Sequence, residues 1–116
     1  MEDGLFYSVE DHEGIKIVHL SGNISNTTKG DFELFIKDLT QRNNVILTMK
    51  DVHIVTTSGL NTLVDVCVDA RSKNKRILLL QSNRDLIRMI EILNLYEYFI
   101  FVDSFEEGKI KLKLYT

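Results

Sequence analysis

The sequence predicts a single α/β domain: a mixed sheet of four or five strands carrying three to four helices, across residues 1–116. Three observations lead there. Two short apolar runs, Leu5 to Val9 and Ile15 to Leu20, are separated only by Asp11-His12-Glu13-Gly14, a turn sequence with no room for a helix. After them, stretches with helical spacing of apolar residues alternate with short, nearly continuous apolar runs of strand length. And 116 residues suffice for one core of ordinary size, not two.

Each element has its own justification. The first two runs pair antiparallel through the Asp11 to Gly14 hairpin. Gly22 to Thr27 reads as a polar loop, and Thr28 with Asp31 three residues later forms a capping-box pattern. The helix that follows buries Phe32, Phe35, Ile36 and Leu39 and ends near Gln41. Val45 to Met49 is a third strand, with Ile54 and Val55 resuming apolar character after a Lys50-Asp51 turn. Leu60, Leu63, Val64, Cys67 and Val68 share one face of a second helix, leaving Asn61, Thr62, Asp65 and Asp69 elsewhere.

Arg76 to Leu80 reads as a strand covered by helices, because its apolar run is almost unbroken. Ser82 and Asp85 repeat the capping-box pattern before Leu86, Ile90 and Leu93, and Asn94 supplies the C-cap. Phe99 to Val102 is the last strand. Ser104-Phe105-Glu106-Glu107 begins a short helix, and the alternation Ile110, Leu112, Leu114 predicts an extended tail after it. Strands joined by helices become parallel neighbours through right-handed crossovers.

Composition excludes several classes of function. A formal charge of -3 supplies no positive field to draw nucleic acid or an anionic membrane, and no run approaches the roughly 20 apolar residues of a transmembrane helix. The acidic start MEDGLFYSVEDHEG lacks the features of a secretory signal, so the expected location is cytoplasmic. The sequons Asn23-Ile24-Ser25 and Asn26-Thr27-Thr28 are then loop composition. Cys67, the single cysteine, reads as a buried small hydrophobe. With no phosphate-binding glycine motif and no compact metal-ligand spacing, no cofactor is expected.

The run Val55-Thr56-Thr57-Ser58-Gly59-Leu60 is the informative one. Thr56 or Thr57 caps the second helix, which places Ser58 and Gly59 in a first turn whose backbone N–H groups lack intrahelical acceptors. A plain structural reading ends there. A functional one adds that a phosphoryl group on Ser58 would meet favourable electrostatics at the helix N-terminus while changing an exposed surface. Hydrolytic use of Ser58 has no support: His12, His19 and His53 fall in a turn, a strand and a strand approach, and Gly-x-Ser-x-Gly is absent.

Thr56-Thr57-Ser58-Gly59-Leu60 after Val45-Ile46-Leu47-Thr48-Met49, Arg88 to Leu95 followed by Tyr98-Phe99, and Gly22-Asn23-Ile24-Ser25 occur in an order that resembles the STAS domain, specifically the single-domain anti-sigma factor antagonists of bacteria. The matching family features are a strand running into Asp-Ser-Ser-Gly-Leu, a helix ending in a glycine-leucine turn, and a Gly-x-Leu-Asp loop. The resemblance covers nearly the whole chain. It implies a non-enzymatic binding protein whose Ser58 is phosphorylated by a partner, an anti-sigma factor serine kinase, and dephosphorylated by a separate serine phosphatase. The neutral form captures the anti-sigma factor and frees sigma factor.

Four positions depart from the family pattern. Thr56, Thr48 and Ser25 stand where it has aspartates, and Thr57 where it has the first motif serine. The alternative is therefore a STAS scaffold that binds without phosphorylation, or a regulatory subunit of a stress-signalling or lipid-transport assembly. The resemblance puts the partner face on Asn23, Ser25 and Asn26 of the early loop, on His53, Thr56 and Thr57, on Ser58 and Gly59, and on the outer side of the second helix at Asn61, Thr62 and Asp65. A binding module predicts a flat or mildly convex surface around Ser58; an enzyme or ligand-binding domain predicts a concavity with converging polar groups.

Overall fold

The structure is a computed structural model that describes residues 4–115; the ends of the expected domain, residues 1–3 and 116, lie outside the described residues. The elements are β1 (Leu5–His12), β2 (Ile15–Ile24), α1 (Lys29–Leu39), β3 (Val45–Val55), α2 (Thr57–Ser72), β4 (Ile77–Leu80), α3 (Arg84–Ile92), a 3-10 turn (Tyr96–Tyr98), β5 (Phe101–Val102) and α4 (Phe105–Lys113). The five strands lie in sequence order across one sheet. β1 is antiparallel to β2, and β2, β3, β4 and β5 are parallel to one another.

Glu13 and Gly14 both have positive φ, the geometry of a tight two-residue hairpin, and His12 pairs with Ile15 across it. Asp11 Oδ1 accepts from the Gly14 N–H at 3.1 Å, and the other carboxylate oxygen meets Lys16 Nζ at 2.6 Å. The three later crossovers all step the same way across the sheet. Right-handed connections that step one way must leave their helices on one face. Accordingly α1, α2 and α3 share a single core with the inward residues of the sheet: Phe32, Ile36, Leu60, Leu63, Leu86 and Ile90 pack with Val45, Leu47, Ile77 and Leu79.

The alternate residues Ile17, Ile46, Leu78 and Val102 face the other way and are covered by Leu112 of α4. Strand segments buried on both faces need apolar residues at nearly every position, which is why Val45 to Leu47 of β3 and Ile77 to Leu80 of β4 read as continuous runs. Cys67 lies in the larger core, where burial pushes its thiol up to about 12.

Several sequence expectations need correction. The loop expected from Gly22 begins later, because β2 continues to Ile24 alongside Asp51 to Val55. β3 shows no turn at Lys50-Asp51; register slips between His19 and Ser21, and between Gly22 and Asn23, absorb its extra residues while both ladders continue. Thr28 precedes α1 without capping it by its side chain, which is turned back into the preceding loop. On α2, Val68 is exposed and Thr62 buried, since the core face is Gly59, Leu60, Thr62, Leu63, Val66, Cys67 and Ala70. Leu93, expected in the core, is 42% exposed.

Ser82 is not the cap of α3. Asn83 is: its Oδ1 accepts from the Leu86 N–H at 2.8 Å while its Nδ2 donates to the Val52 carbonyl at 3.2 Å. Asn94 does end that helix, in the left-handed region, with its own N–H on the Glu91 carbonyl and the Leu95 N–H on the Ile90 carbonyl. Tyr96–Tyr98 turns where extension was expected nearby, so the last strand shortens to Phe101–Val102.

The expected extended tail is helix instead. Ser104 caps α4 through the Glu107 N–H at 3.0 Å, and Leu112 is buried while Ile110 and Leu114 are exposed. Burying a leucine is worth about 1.5–3 kcal/mol, more than the cost of one helical glycine at about 1 kcal/mol. Here Gly108 is itself useful, since a Cβ would press on Ile46 Cδ1 at 3.0 Å.

Two outcomes check these contacts. Asn83→Ala lowers stability by about 1–2 kcal/mol in urea unfolding, whereas Ser82→Ala, which removes a buried Oγ with no partner among the described residues, leaves it unchanged or slightly higher. Cys67 resists iodoacetamide in the folded protein at about pH 8 and reacts once urea is added. Its raised ionisation makes the associated stability complete below the ordinary thiol value of 9.0 and lost as pH climbs from there toward about 12.

Candidate functional site

The site grows from the place where β2 ends and α2 begins. Ile24 pairs with Val55, and the Ile24 carbonyl accepts the Thr56 N–H at 3.0 Å. Thr56 is the N-cap: its backbone is extended, its Oγ1 accepts the Gly59 N–H at 3.0 Å, and its carbonyl takes the Leu60 N–H at 2.8 Å. Gly59 rests directly on the Ile24 carbonyl, so close that a Cβ there would overlap the oxygen. Only glycine lets the first turn of α2 seat this deeply.

Seating the helix in this way sets the direction of Ser58. Ser58 is half-buried, and its hydroxyl donates to Asn26 Oδ1 at 2.5 Å and lies 3.3 Å from Thr56 Oγ1. Asn26 itself is exposed on a loop closed by Thr28. Thr28 Oγ1 accepts the Ser25 N–H at 2.9 Å and donates to the Asn23 carbonyl at 2.8 Å, while the Ser25 carbonyl takes the N–H groups of Thr28 and Lys29 at 3.2 and 2.9 Å.

The eleven positions expected on the partner face separate into two groups. Asn26, His53, Thr57, Asn61 and Asp65 are exposed, and Asn23, Thr56 and Ser58 are half-buried around them. Ser25, Gly59 and Thr62 are buried, which corrects their placement on the partner face. Ser25 closes the loop, Gly59 seats the helix, and Thr62 Oγ1 donates back to the Ser58 carbonyl at 3.2 Å. A side chain four residues along a helix can bond its own backbone and still face the core, which spacing alone does not separate from an outward polar position.

Thr48 is also remote from this surface. It points to the α4 side of the sheet, where its Oγ1 lies 3.3 Å from His19 Nδ1; His19 Nε2 in turn meets Glu10 at 3.0 Å. The carboxylate of Glu10 is held below its ordinary range, first by that histidine contact. Ser58 therefore has an amide and a hydroxyl as its hydrogen-bond partners among the described residues, and no imidazole or carboxylate to take its proton.

What the sequence reading missed is an apolar border beside the helix start. A shallow hollow of about 310 Å³ between the end of β3 and α3 is lined by Ile54, Met89 and Asp85 among others, and a second of about 280 Å³ by Thr57, Met89, Ile92 and Leu93. Ile54 is 55% and Ile92 74% exposed. The signal was present: α3 and its C-cap carry Leu86, Ile87, Met89, Ile90, Ile92 and Leu93, more apolar residues than one buried stripe holds. Among the described residues no helix is long and apolar enough to cross a membrane.

A five-stranded mixed sheet with three helices on one face, a fourth on the other, and a capped helix start offering a serine beside the end of β2 defines an α/β domain. The chain belongs to the STAS domain family, whose model matches residues 7–108. No curated relative matches by sequence.

Among solved structures, it is similar to an anti-sigma factor antagonist from Mycobacterium paratuberculosis (18% identity, 97% of each chain, TM-score 0.82). It also resembles the Bacillus cell fate determinant SpoIIAA in its phosphorylated form (14% identity, 91% of this chain and 97% of that one, TM-score 0.68). A third likeness is to the murine Solute Carrier 26 family member A9 anion transporter (15% identity, 90% of this chain and 18% of that one, TM-score 0.75). At these identities the likeness establishes the fold.

The geometry at Ile24 yields a direct expectation. Gly59→Ala destabilises by about 1–3 kcal/mol through overpacking, Thr56→Val by about 1 kcal/mol through loss of the cap, and Thr56→Ser by little, all read from denaturant midpoints.

Proposed function

We propose that this protein is an anti-sigma factor antagonist that captures a serine-kinase anti-sigma factor and is released when that partner phosphorylates Ser58. The observation that carries the reading is the partly exposed Ser58 in the first turn of a helix whose start is held by its cap and by the Ile24 carbonyl. A phosphoryl group adds roughly -1.5 to -2 charge, and a helix N-terminus accommodates anionic charge with a gain of about 0.3–1 kcal/mol. The core is untouched, so the change is confined to the surface that a partner reads.

That surface is assembled from Asn26, Thr57, Ser58, Asn61 and Asp65, with His53 and the exposed Ile54, Ile92 and Leu93 alongside. Apolar side chains next to a neutral hydroxyl suit a partner that desolvates the helix start, and a dianion there would oppose that desolvation. The likeness to a Bacillus protein determined in its phosphorylated form supports a fold that tolerates the modification. A serine phosphatase would restore the binding form, and the cycle would run in the cytoplasm without catalysis by this chain.

A second reading, a STAS scaffold or regulatory subunit that binds without phosphoryl transfer, is favoured by the neutral partners of Ser58, which are Asn26 and Thr56. The likeness to a transporter's domain is compatible with such a subunit role.

One experiment separates the two. The protein and its Ser58→Ala variant are incubated with ATP and the serine-kinase anti-sigma factors of the same organism, followed by intact-mass measurement and size exclusion. One added phosphate in the unsubstituted protein alone, with loss of the complex, is the expected result. A stable complex with no mass change would transfer the assignment to the scaffold.

A further inference from the structure

Counting protons gives the hydrogen-bond chain at Ser58 a direction. A serine hydroxyl has one proton and two lone pairs, and an amide oxygen only accepts. The Ser58 proton therefore points to Asn26 Oδ1, 2.5 Å away. Thr56 Oγ1 already accepts the Gly59 N–H, so the proton between Thr56 and Ser58, 3.3 Å apart, is the one Thr56 carries. The chain runs from the Gly59 N–H through Thr56 and Ser58 to Asn26, leaving one Ser58 lone pair uncommitted among the described residues. Asn26 is the terminal acceptor and the one member supplied by another segment, 32 residues away in sequence.

We propose that Asn26 is the positioning residue of the Ser58 switch: its side-chain amide accepts from the hydroxyl in the unmodified protein and turns over to donate Nδ2–H to the phosphoryl oxygens in the modified one. The inference rests on the phosphorylation reading above. In the transfer, Ser58 Oγ forms a bond to the γ-phosphorus of the kinase's bound nucleoside triphosphate. The bond to the bridging oxygen breaks, and the nucleoside diphosphate leaves with that electron pair. The hydroxyl proton passes to a base on the kinase, because the amide oxygen of Asn26 is too weakly basic to keep it.

Once the proton is gone, Asn26 Oδ1 faces only acceptors. Rotation of the amide about its last side-chain bond replaces an acceptor by a donor without moving the backbone, and that exchange carries the state of Ser58 into the loop tied together by Ser25 and Thr28. Asn26 is exposed, so its replacement leaves the core intact.

The test bypasses any kinase. The full chain is made with phosphoserine inserted at position 58 during translation, as the unsubstituted protein and as Asn26→Ala and Asn26→Asp. The second ionisation of the phosphate is followed by phosphorus NMR, and the Asn26 side-chain amide by proton–nitrogen correlation.

A donor to the dianion lowers that ionisation, so Asn26→Ala raises it by about 0.3 unit or more, a twofold change in the constant, and Asn26→Asp raises it further by like-charge repulsion. The Asn26 side-chain amide signal follows the same titration. An unchanged or lowered phosphate ionisation in Asn26→Ala, or an Asn26 amide signal indifferent to the titration, overturns the inference. Because no kinase takes part, failure here leaves the phosphorylation reading standing, and failure of a kinase to modify Ser58 leaves this result intact.

Discussion

The Ile24 carbonyl is the point on which the arrangement depends. It takes the Thr56 N–H and receives the bare Cα of Gly59, so the end of β2 and the start of α2 are held by one oxygen. The consequence is geometric. The loop leaving Ile24 and the first turn of α2 are fixed side by side, and the exposed Asn26 comes within reach of Ser58. A helix start is otherwise among the looser parts of a fold, because its first N–H groups lack helical partners.

Behind that point, the order of strands assigns the faces. Crossovers that all step one way put α1, α2 and α3 together, and the opposite face is left to α4. The serine site and the His19–Glu10–Thr48 cluster therefore belong to different sides of the sheet. Of the four positions that depart from the family pattern, Thr56 and Thr57 immediately precede Ser58, Ser25 is committed to the loop, and Thr48 answers to the other face. The hydrogen-bond partners of the serine oxygen among the described residues, the Asn26 amide and the Thr56 hydroxyl, are both neutral.

Much of this was legible locally. Helix α1, the hairpin, the α2 start at one of Thr56 and Thr57, and the helix end at Asn94 follow from spacing and turn chemistry within a few residues. Errors arose wherever a second segment had a say. Ser82 looked like a cap, but Asn83 could also reach the Val52 carbonyl. Gly22 to Ile24 looked like loop until β3 offered a ladder, and Leu112 alternated like a strand residue until a vacant sheet face offered it burial as helix.

The amino-acid sequence by itself determined the order of elements, the capped helix start with its serine, and the doubly buried central strands, because each is written in contacts between near neighbours or in a periodic pattern. Tertiary structure decided where strands stop, which polar side chains of α2 are hidden, and that Asn26 meets Ser58. Those outcomes require chain segments distant in sequence to compete for the same hydrogen bonds and the same buried space, and only the folded molecule brings the competitors together.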